Sequence, residues 1–101
     1  GETLKDNIPN SGLVIGVQIL SVKKEVYPLQ AIIDLYEIKG EVLIDGTVKN
    51  WAKFIVSGYG TFEEANAAIP ILRKKGFIDA FIVVYFDGSR IPPSKIGEYQ
   101  K

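Results

Sequence analysis

Segments with strand periodicity and segments with helix periodicity alternate along this chain in the order βαββαβ. Strands are expected at about residues 13–22, 41–44, 50–57 and 79–86, and helices at 26–36 and from Thr61 to Gly76. Asp45-Gly46 is a hairpin signal between the second and third strands, and Asp87-Gly88 is a turn signal after the last strand. This order restricts the chain to very few sheet topologies.

Two split βαβ units predict a four-stranded antiparallel sheet with both helices on one face, the ferredoxin-like or RNP-like α+β fold. The first and third strands then become central neighbours. Residues 12–91 are expected to form the domain, with a linker tail at 1–11 and a polar tail at 92–101. The sheet face without helices is either solvated or used for binding.

Strand alternation predicts which side chains occupy that second face. In the first strand the row with Gly16, Gln18 and Leu20 is expected to point outward, because it mixes glycine and a polar amide with its apolar members. In the third strand Trp51, Lys53, Ile55 and Ser57 share a row. Gln18 and Trp51 are therefore predicted to lie side by side on the open face.

The second helix carries one favourable and one unfavourable signal. Thr61-Phe62-Glu63-Glu64 is a capping box, in which Thr61 caps the helix and Glu64 reaches back to the amide of the cap. Pro70 deletes a helix hydrogen bond and costs about 3 kcal/mol inside a helix. We expect a kinked or split helix there.

The composition argues against catalysis and against most cofactors. The chain has no Cys and no His, which removes thiolate and imidazole ligands and the commonest general base. No phosphate-binding glycine motif follows a strand. We therefore expect a non-enzymatic module without a metal or cofactor.

Nucleic acid and membrane are also not expected as partners. Lys plus Arg equals Asp plus Glu at 12 each, whereas proteins that hold a phosphate backbone are usually basic. RNA-recognition modules share the βαββαβ order, but they stack bases on aromatic side chains of the first and third strands, and the first strand here has none. No apolar run reaches membrane-spanning length.

Four sequence runs in the expected elements resemble the SPOR (sporulation-related repeat) family over about residues 12–91. They are Val17-Gln18-Ile19, Trp51-Ala52-Lys53-Phe54, Thr61-Phe62-Glu63-Glu64-Ala65 and Gly76-Phe77-Ile78-Asp79-Ala80-Phe81-Ile82-Val83. The run Tyr85-Phe86-Asp87-Gly88-Ser89-Arg90-Ile91 is similar to the ending of Bacteroidetes-type members. The resemblance implies a monomeric module that binds peptidoglycan, preferring glycan strands denuded of stem peptides.

The same resemblance implies an extracytoplasmic location in the periplasm or cell envelope, and a role in targeting a parent protein to the cell wall or division septum. It also implies a glycan-binding face that includes Gln18, Ser21, Trp51 and Lys53. Leu20 and Ile55, from the same strands, complete the candidate glycan-binding residues. Denuded glycan carries a free lactyl carboxylate on each muramic acid, with which Lys53 is expected to pair.

Two positions depart from the family pattern, and they leave a second hypothesis open. Leu20 and Ser57 stand where the family has glycine, so Leu20 is expected either to narrow the groove or to add an apolar contact. Leu20, Trp51 and Ile55 alternatively form an apolar patch for a protein partner or for self-association.

Overall fold

The computed structural model describes residues 6–23 and 40–98, which form one antiparallel sheet, one α-helix and a short 3₁₀-helix. The elements are β1 (Leu13–Lys23), β2 (Glu41–Asp45), β3 (Trp51–Tyr59), α1 (Phe62–Lys74), β4 (Phe81–Phe86), β5 (Ser89–Ile91) and the 3₁₀-helix Pro93–Glu98. The helix predicted at 26–36 lies outside the described residues.

The sheet has five strands in the order β2-β3-β1-β4-β5, with every pair antiparallel. The prediction that β1 and β3 are neighbours is confirmed. The predicted fold of four strands with two helices is wrong, because β5 extends the sheet and the described residues hold a single α-helix.

The fifth strand exists because the turn at Asp87-Gly88 is a hairpin turn. Both residues have positive φ, 48° and 84°, as a two-residue type I′ turn requires. Ser89 then pairs with Phe86, and Arg90 pairs with Tyr85. The Asp87 side chain also accepts a hydrogen bond from the Gly12 amide at 2.8 Å, which fixes the turn against the start of β1.

Helix α1 begins at the predicted capping box. Thr61 Oγ1 accepts from the Glu64 amide at 3.1 Å, and Glu64 Oε2 accepts from the Gly60 amide at 2.8 Å, one residue before the cap rather than at the cap itself. The helix continues unbroken through Pro70, so the predicted split is wrong. Pro70 and Asn66, whose carbonyl loses its usual donor, are both exposed, so water can solvate that carbonyl.

The end of α1 is a Schellman motif. Gly76 has φ of 116°, its amide donates to Arg73 O, and the Phe77 amide donates to Leu72 O. Leu72 and Phe77 are both buried in the same cluster, the hydrophobic contact that accompanies this motif. The chain is thereby turned back toward β4.

One core lies between the sheet and α1. Its buried side chains come from alternating strand positions, from one stripe of the helix and from the loop that follows it, namely Ile15, Val17, Ile19, Val42, Ile44, Ala52, Phe54, Val56, Ala65, Leu72, Phe77 and Ala80. Ile96 of the 3₁₀-helix packs against it, so part of the predicted polar tail at 92–101 contributes to the domain.

A second, smaller core lies on the opposite face of the sheet, which we call the outer face. Ile8, Leu43, Ile55, Val83 and Tyr85 form this outer cluster. Four of them come from strands, and Ile8 covers them from outside, with 6% of its surface exposed. The outer face is therefore covered in part.

Residues 6–11, which we call the strap, hold Ile8 in place. The Asn7 amide donates to Ile44 O at 2.9 Å, and Asn7 Oδ1 accepts from the Ile44 amide at 2.5 Å. Asp6 Oδ1 accepts from the Gly46 amide at 2.8 Å. The strap was expected to be part of a linker, but it packs against the sheet.

Candidate functional site

A β-bulge in β1 determines which of the predicted residues reach the outer face. Gln18 lies opposite Ile55 of β3, whereas Leu20 lies opposite Phe54, so β1 advances two residues while β3 advances one. Leu20 consequently packs against the core beneath α1, and the prediction that it shares a row with Gln18 is wrong. After the bulge Ser21 takes the outward position, opposite Lys53.

Three further predicted residues lie on the outer face but not as close together as expected. Trp51 is 41% exposed and lies opposite Lys23, and Lys53 is half-buried. Gln18 pairs with Ile55, four residues along β3 from Trp51, which is about 13 Å along the strand. Gln18 and Trp51 share the face without being side by side, and Ser21 and Lys53 lie between them.

Ile55 is not available to a ligand. It is fully buried in the outer cluster, and its Cγ2 occupies the space above Gly16. Gly16 was expected in an outward row, but its missing side chain admits Ile55 rather than a ligand. Ile55 is therefore a core residue.

Ser57 is likewise structural. It is 7% exposed, and its Oγ donates to Glu41 O on β2 at 3.3 Å. The pairing of β1 with β3 has another register shift just after Ser57, where Gly58 has a φ of 95°. The hydroxyl thus supports the pairing of β2 with β3.

Two further residues, which the sequence did not indicate as site residues, are exposed on the outer face near Gln18. Phe81 lies opposite Gln18 and is 45% exposed. Arg90, on β5, donates from Nη2 to Gln18 Oε1 at 3.1 Å, and its guanidinium carbon lies 5.8 Å from the centre of the Phe81 ring. The hairpin signal at Asp87-Gly88, extended into a fifth strand, would have placed Arg90 opposite Tyr85 on the outer face, from which its long side chain reaches Gln18.

β4 begins at Phe81, opposite Gln18, so the part of β1 after Gln18 has no neighbouring strand on that side. A cleft of about 340 Å³ opens there. It is lined by Gln18, Ile19, Leu20, Ser21, Asp79 and Phe81. Leu20 therefore contributes to a cleft wall, although its side chain packs toward the core. We call Gln18, Ser21, Trp51, Lys53, Phe81 and Arg90, of which Gln18 and Lys53 are half-buried, the outer site.

A buried carboxylate supports the strand end beside the outer site. Asp45 Oδ2 accepts from the Tyr85 hydroxyl at 2.5 Å, and Oδ1 accepts from the Thr47 hydroxyl at 2.6 Å and its amide at 3.0 Å. Burial raises the pKa of Asp45, but these hydrogen bonds and the charge of Lys53 outweigh it, so the net pKa is lowered. Burial, followed by the Asp45 contact, raises the pKa of Tyr85.

The outer site is chemically mixed. It combines two exposed aromatic rings, two cations, an amide and a hydroxyl, whereas the one buried carboxylate nearby is fully occupied by donors. Among the described residues no group of three or more His, Cys, Asp or Glu side chains could hold a metal ion. None of the described helices is long and apolar enough to cross a membrane.

No family model, curated protein or solved structure matches this chain. The resemblance of the sequence runs to the SPOR family therefore stays a prediction.

Proposed function

We propose that this chain is a non-catalytic module that binds peptidoglycan glycan strands, in particular strands denuded of stem peptides, through the outer site. The observation that carries the proposal is the exposure of Trp51 and Phe81, 41% and 45%, on a sheet face that no described helix covers. Exposed large aromatic side chains next to polar groups are typical of binding surfaces.

Five residues of the outer site each suit one part of a glycan. The C–H faces of sugar rings pack on the Trp51 indole and the Phe81 ring. Hydroxyl and acetamido groups pair with the amide of Gln18 and the hydroxyl of Ser21. The Lys53 ammonium suits the lactyl carboxylate that becomes free when the stem peptide is removed.

Binding of this kind would target a parent protein to the cell wall or division septum, in an extracytoplasmic compartment. The resemblance to SPOR domains supports this location and the choice of ligand. The neutral net charge and the aromatic-poor first strand favour a saccharide over a nucleic acid.

Co-sedimentation with isolated sacculi tests the proposal. We expect the domain to pellet with amidase-treated sacculi more strongly than with intact sacculi, and Trp51→Ala and Phe81→Ala each to reduce the pelleted fraction. Ile71→Ala is the matched control, because Ile71 is an exposed apolar residue (61%) on α1, away from the outer face. A domain that stays in the supernatant with both preparations would contradict glycan binding.

The alternative function is a protein-interaction module that uses the same end of the sheet. Its support is the apolar exposure of Val48, Trp51 and Phe81, at 45%, 41% and 45%. Leu20 and Ile55 no longer contribute, because both pack inside. This function is favoured if no sacculus preparation pellets the domain while Trp51→Ala changes its sedimentation coefficient.

A further inference from the structure

Arg90 is held in a fixed position on the outer face. Its guanidinium carbon lies 5.8 Å from the centre of the Phe81 ring and 5.9 Å from that of Tyr85, and its Nη2 donates to Gln18 Oε1 at 3.1 Å. Contact with the faces of two aromatic rings and one hydrogen bond together restrict a side chain that is otherwise flexible.

The hydrogen-bonding capacity of Arg90 is mostly unused. A guanidinium has five N–H donors, and Gln18 Oε1 accepts one of them. The contacts of Arg90 within residues 6–23 and 40–98 are with Gln18, Phe81 and Tyr85, and no carboxylate is among them. Since Arg90 is exposed, its remaining donors are accessible to a ligand.

Charges of both signs lie on the outer face around Arg90. Lys53 and Lys23 lie on the same face, opposite Ser21 and Trp51 respectively. The nearby Asp45 is buried and already accepts hydrogen bonds from Thr47 and Tyr85, and Asp79 is the acidic residue in the cleft wall. Asp6 of the strap also acts by its charge on Tyr85, so the donors for an anion are those of Arg90 itself rather than of a general positive field.

We infer that Arg90 recognises a carboxylate on the bound saccharide, and that Gln18 is the positioning residue that orients its guanidinium. The inference rests on the proposed glycan-binding function and names the group that determines ligand choice. The planar fork of an arginine matches the two oxygens of a carboxylate, which a lysine ammonium does not.

The test compares two ligands that differ at the carboxylate alone. An oligosaccharide of alternating N-acetylglucosamine and N-acetylmuramic acid is titrated into the domain by calorimetry, beside the same oligosaccharide with its lactyl carboxyl groups reduced to alcohols. We expect the carboxylated form to bind about tenfold more tightly, the effect of one hydrogen-bonded charge at an accessible site. The ratio of the affinity for the carboxylated form to that for the reduced form should fall as the salt concentration is raised.

Variants then assign the preference to Arg90. Arg90→Gln should lower the affinity ratio severalfold and leave the part that Lys53 contributes, and Arg90→Lys should keep more of the ratio than Arg90→Gln. Gln18→Leu should give an intermediate ratio and broaden the NMR signal of the Arg90 Nε–H, because the guanidinium loses its anchor. Lys74→Gln, which removes one charge from the exposed side of α1, should leave the ratio at its wild-type value.

The outcomes distinguish a failure of the role of Arg90 from a failure of glycan binding itself. Equal binding of the two oligosaccharides, or a ratio unaffected by Arg90→Gln, overturns the role of Arg90 and leaves glycan binding standing. Binding of neither oligosaccharide overturns both. A ratio that Lys74→Gln lowers as much as Arg90→Gln overturns the role of Arg90 in favour of general attraction by the net charge.

Discussion

Gly16 shows how closely the two central strands and their side chains pack on the outer face. A Cβ at this position would lie 2.5 Å from Ile55 Cγ2 and 2.8 Å from the Val56 carbonyl oxygen. The side-chain atom can shift, but the backbone oxygen belongs to the sheet and cannot. At the scale of single residues, this glycine is a packing requirement and not an opening for a ligand.

We predict that Gly16→Ala lowers the free energy of unfolding by about 2 kcal/mol, the usual range for an overpacked site. Urea denaturation measures the change. Gly97→Ala is the control, because a Cβ there meets nothing within 4 Å. Equal midpoints for the two variants would contradict the close approach of β1 and β3.

The hydrogen bond between Tyr85 and Asp45 links β4 to β2 across the outer face. Tyr85→Phe removes a donor from a buried carboxylate, and we predict a loss of about 1 to 3 kcal/mol at neutral pH. Thermal unfolding checks this value. A melting temperature within error of the wild-type value would show that the bond contributes nothing.

The same carboxylate makes stability depend on pH. The pKa of Asp45 is lowered by folding from 3.8, so its stabilisation is present above that value and is lost as the pH falls through the lower folded pKa. Asp45→Asn keeps an acceptor oxygen for its partners but does not titrate. We predict that the fall in unfolding free energy below about pH 4 is shallower in Asp45→Asn, and a slope equal to the wild type would exclude Asp45 as a source.

At the scale of elements, the short hairpin of β4 and β5 brings Arg90 to the outer site. Its turn needs positive φ at Asp87 and Gly88, which glycine and aspartate tolerate better than other residues. The bulge in β1 acts in the same way on Ser21, because one extra residue exchanges the faces of the strand that follows.

We predict that Gly88→Ala costs about 1 kcal/mol, the penalty of the left-handed conformation for a residue with a side chain. A Cβ on residue 88 would lie 3.5 Å from the nearest atoms, which is an ordinary van der Waals contact. The loss of stability therefore comes mainly from the positive φ and not from a steric clash. Gly88→Asn should lose less, because asparagine tolerates this conformation. Chemical denaturation distinguishes the two, and a larger loss for Asn than for Ala would exclude this explanation.

At the scale of the whole molecule, the strap makes the domain larger than residues 12–91. Ile8 closes the outer cluster, and the strap lies over the faces of β2, β3 and β4 that would otherwise expose Leu43, Ile55 and Val83. A sheet with helices on one side alone needs such a cover wherever its second face is apolar.

We predict that Ile8→Ala lowers the unfolding free energy by about 2 kcal/mol, at the low end for a buried large apolar residue because the strap is at the surface. Removal of residues 1–11 should also increase the fluorescence of a dye that binds exposed apolar surface. Ser11→Ala is the control, since Ser11 is exposed. An unchanged denaturation midpoint after removal of residues 1–11 would mean that they are linker.

Local signals in the sequence determined the elements of this protein. Alternation predicted β1 to β4 but not β5, the capping box at Thr61 and the stop at Gly76 predicted the ends of α1, and the strand order predicted that β1 and β3 are neighbours. These features depend on residues a few positions apart, or on the few connections that a chain can make, so the sequence alone contains them.

Only the tertiary structure decided which residues of the second face are exposed. The bulge turned Leu20 inward, Ile8 buried Ile55, and β5 brought Arg90 to Gln18 across 72 residues of sequence. None of these follows from a period of two, because a bulge shifts the alternation and a strap covers a face from a distant part of the chain. The candidate site is therefore a product of packing, whereas the strands on which it is built are a product of the local pattern.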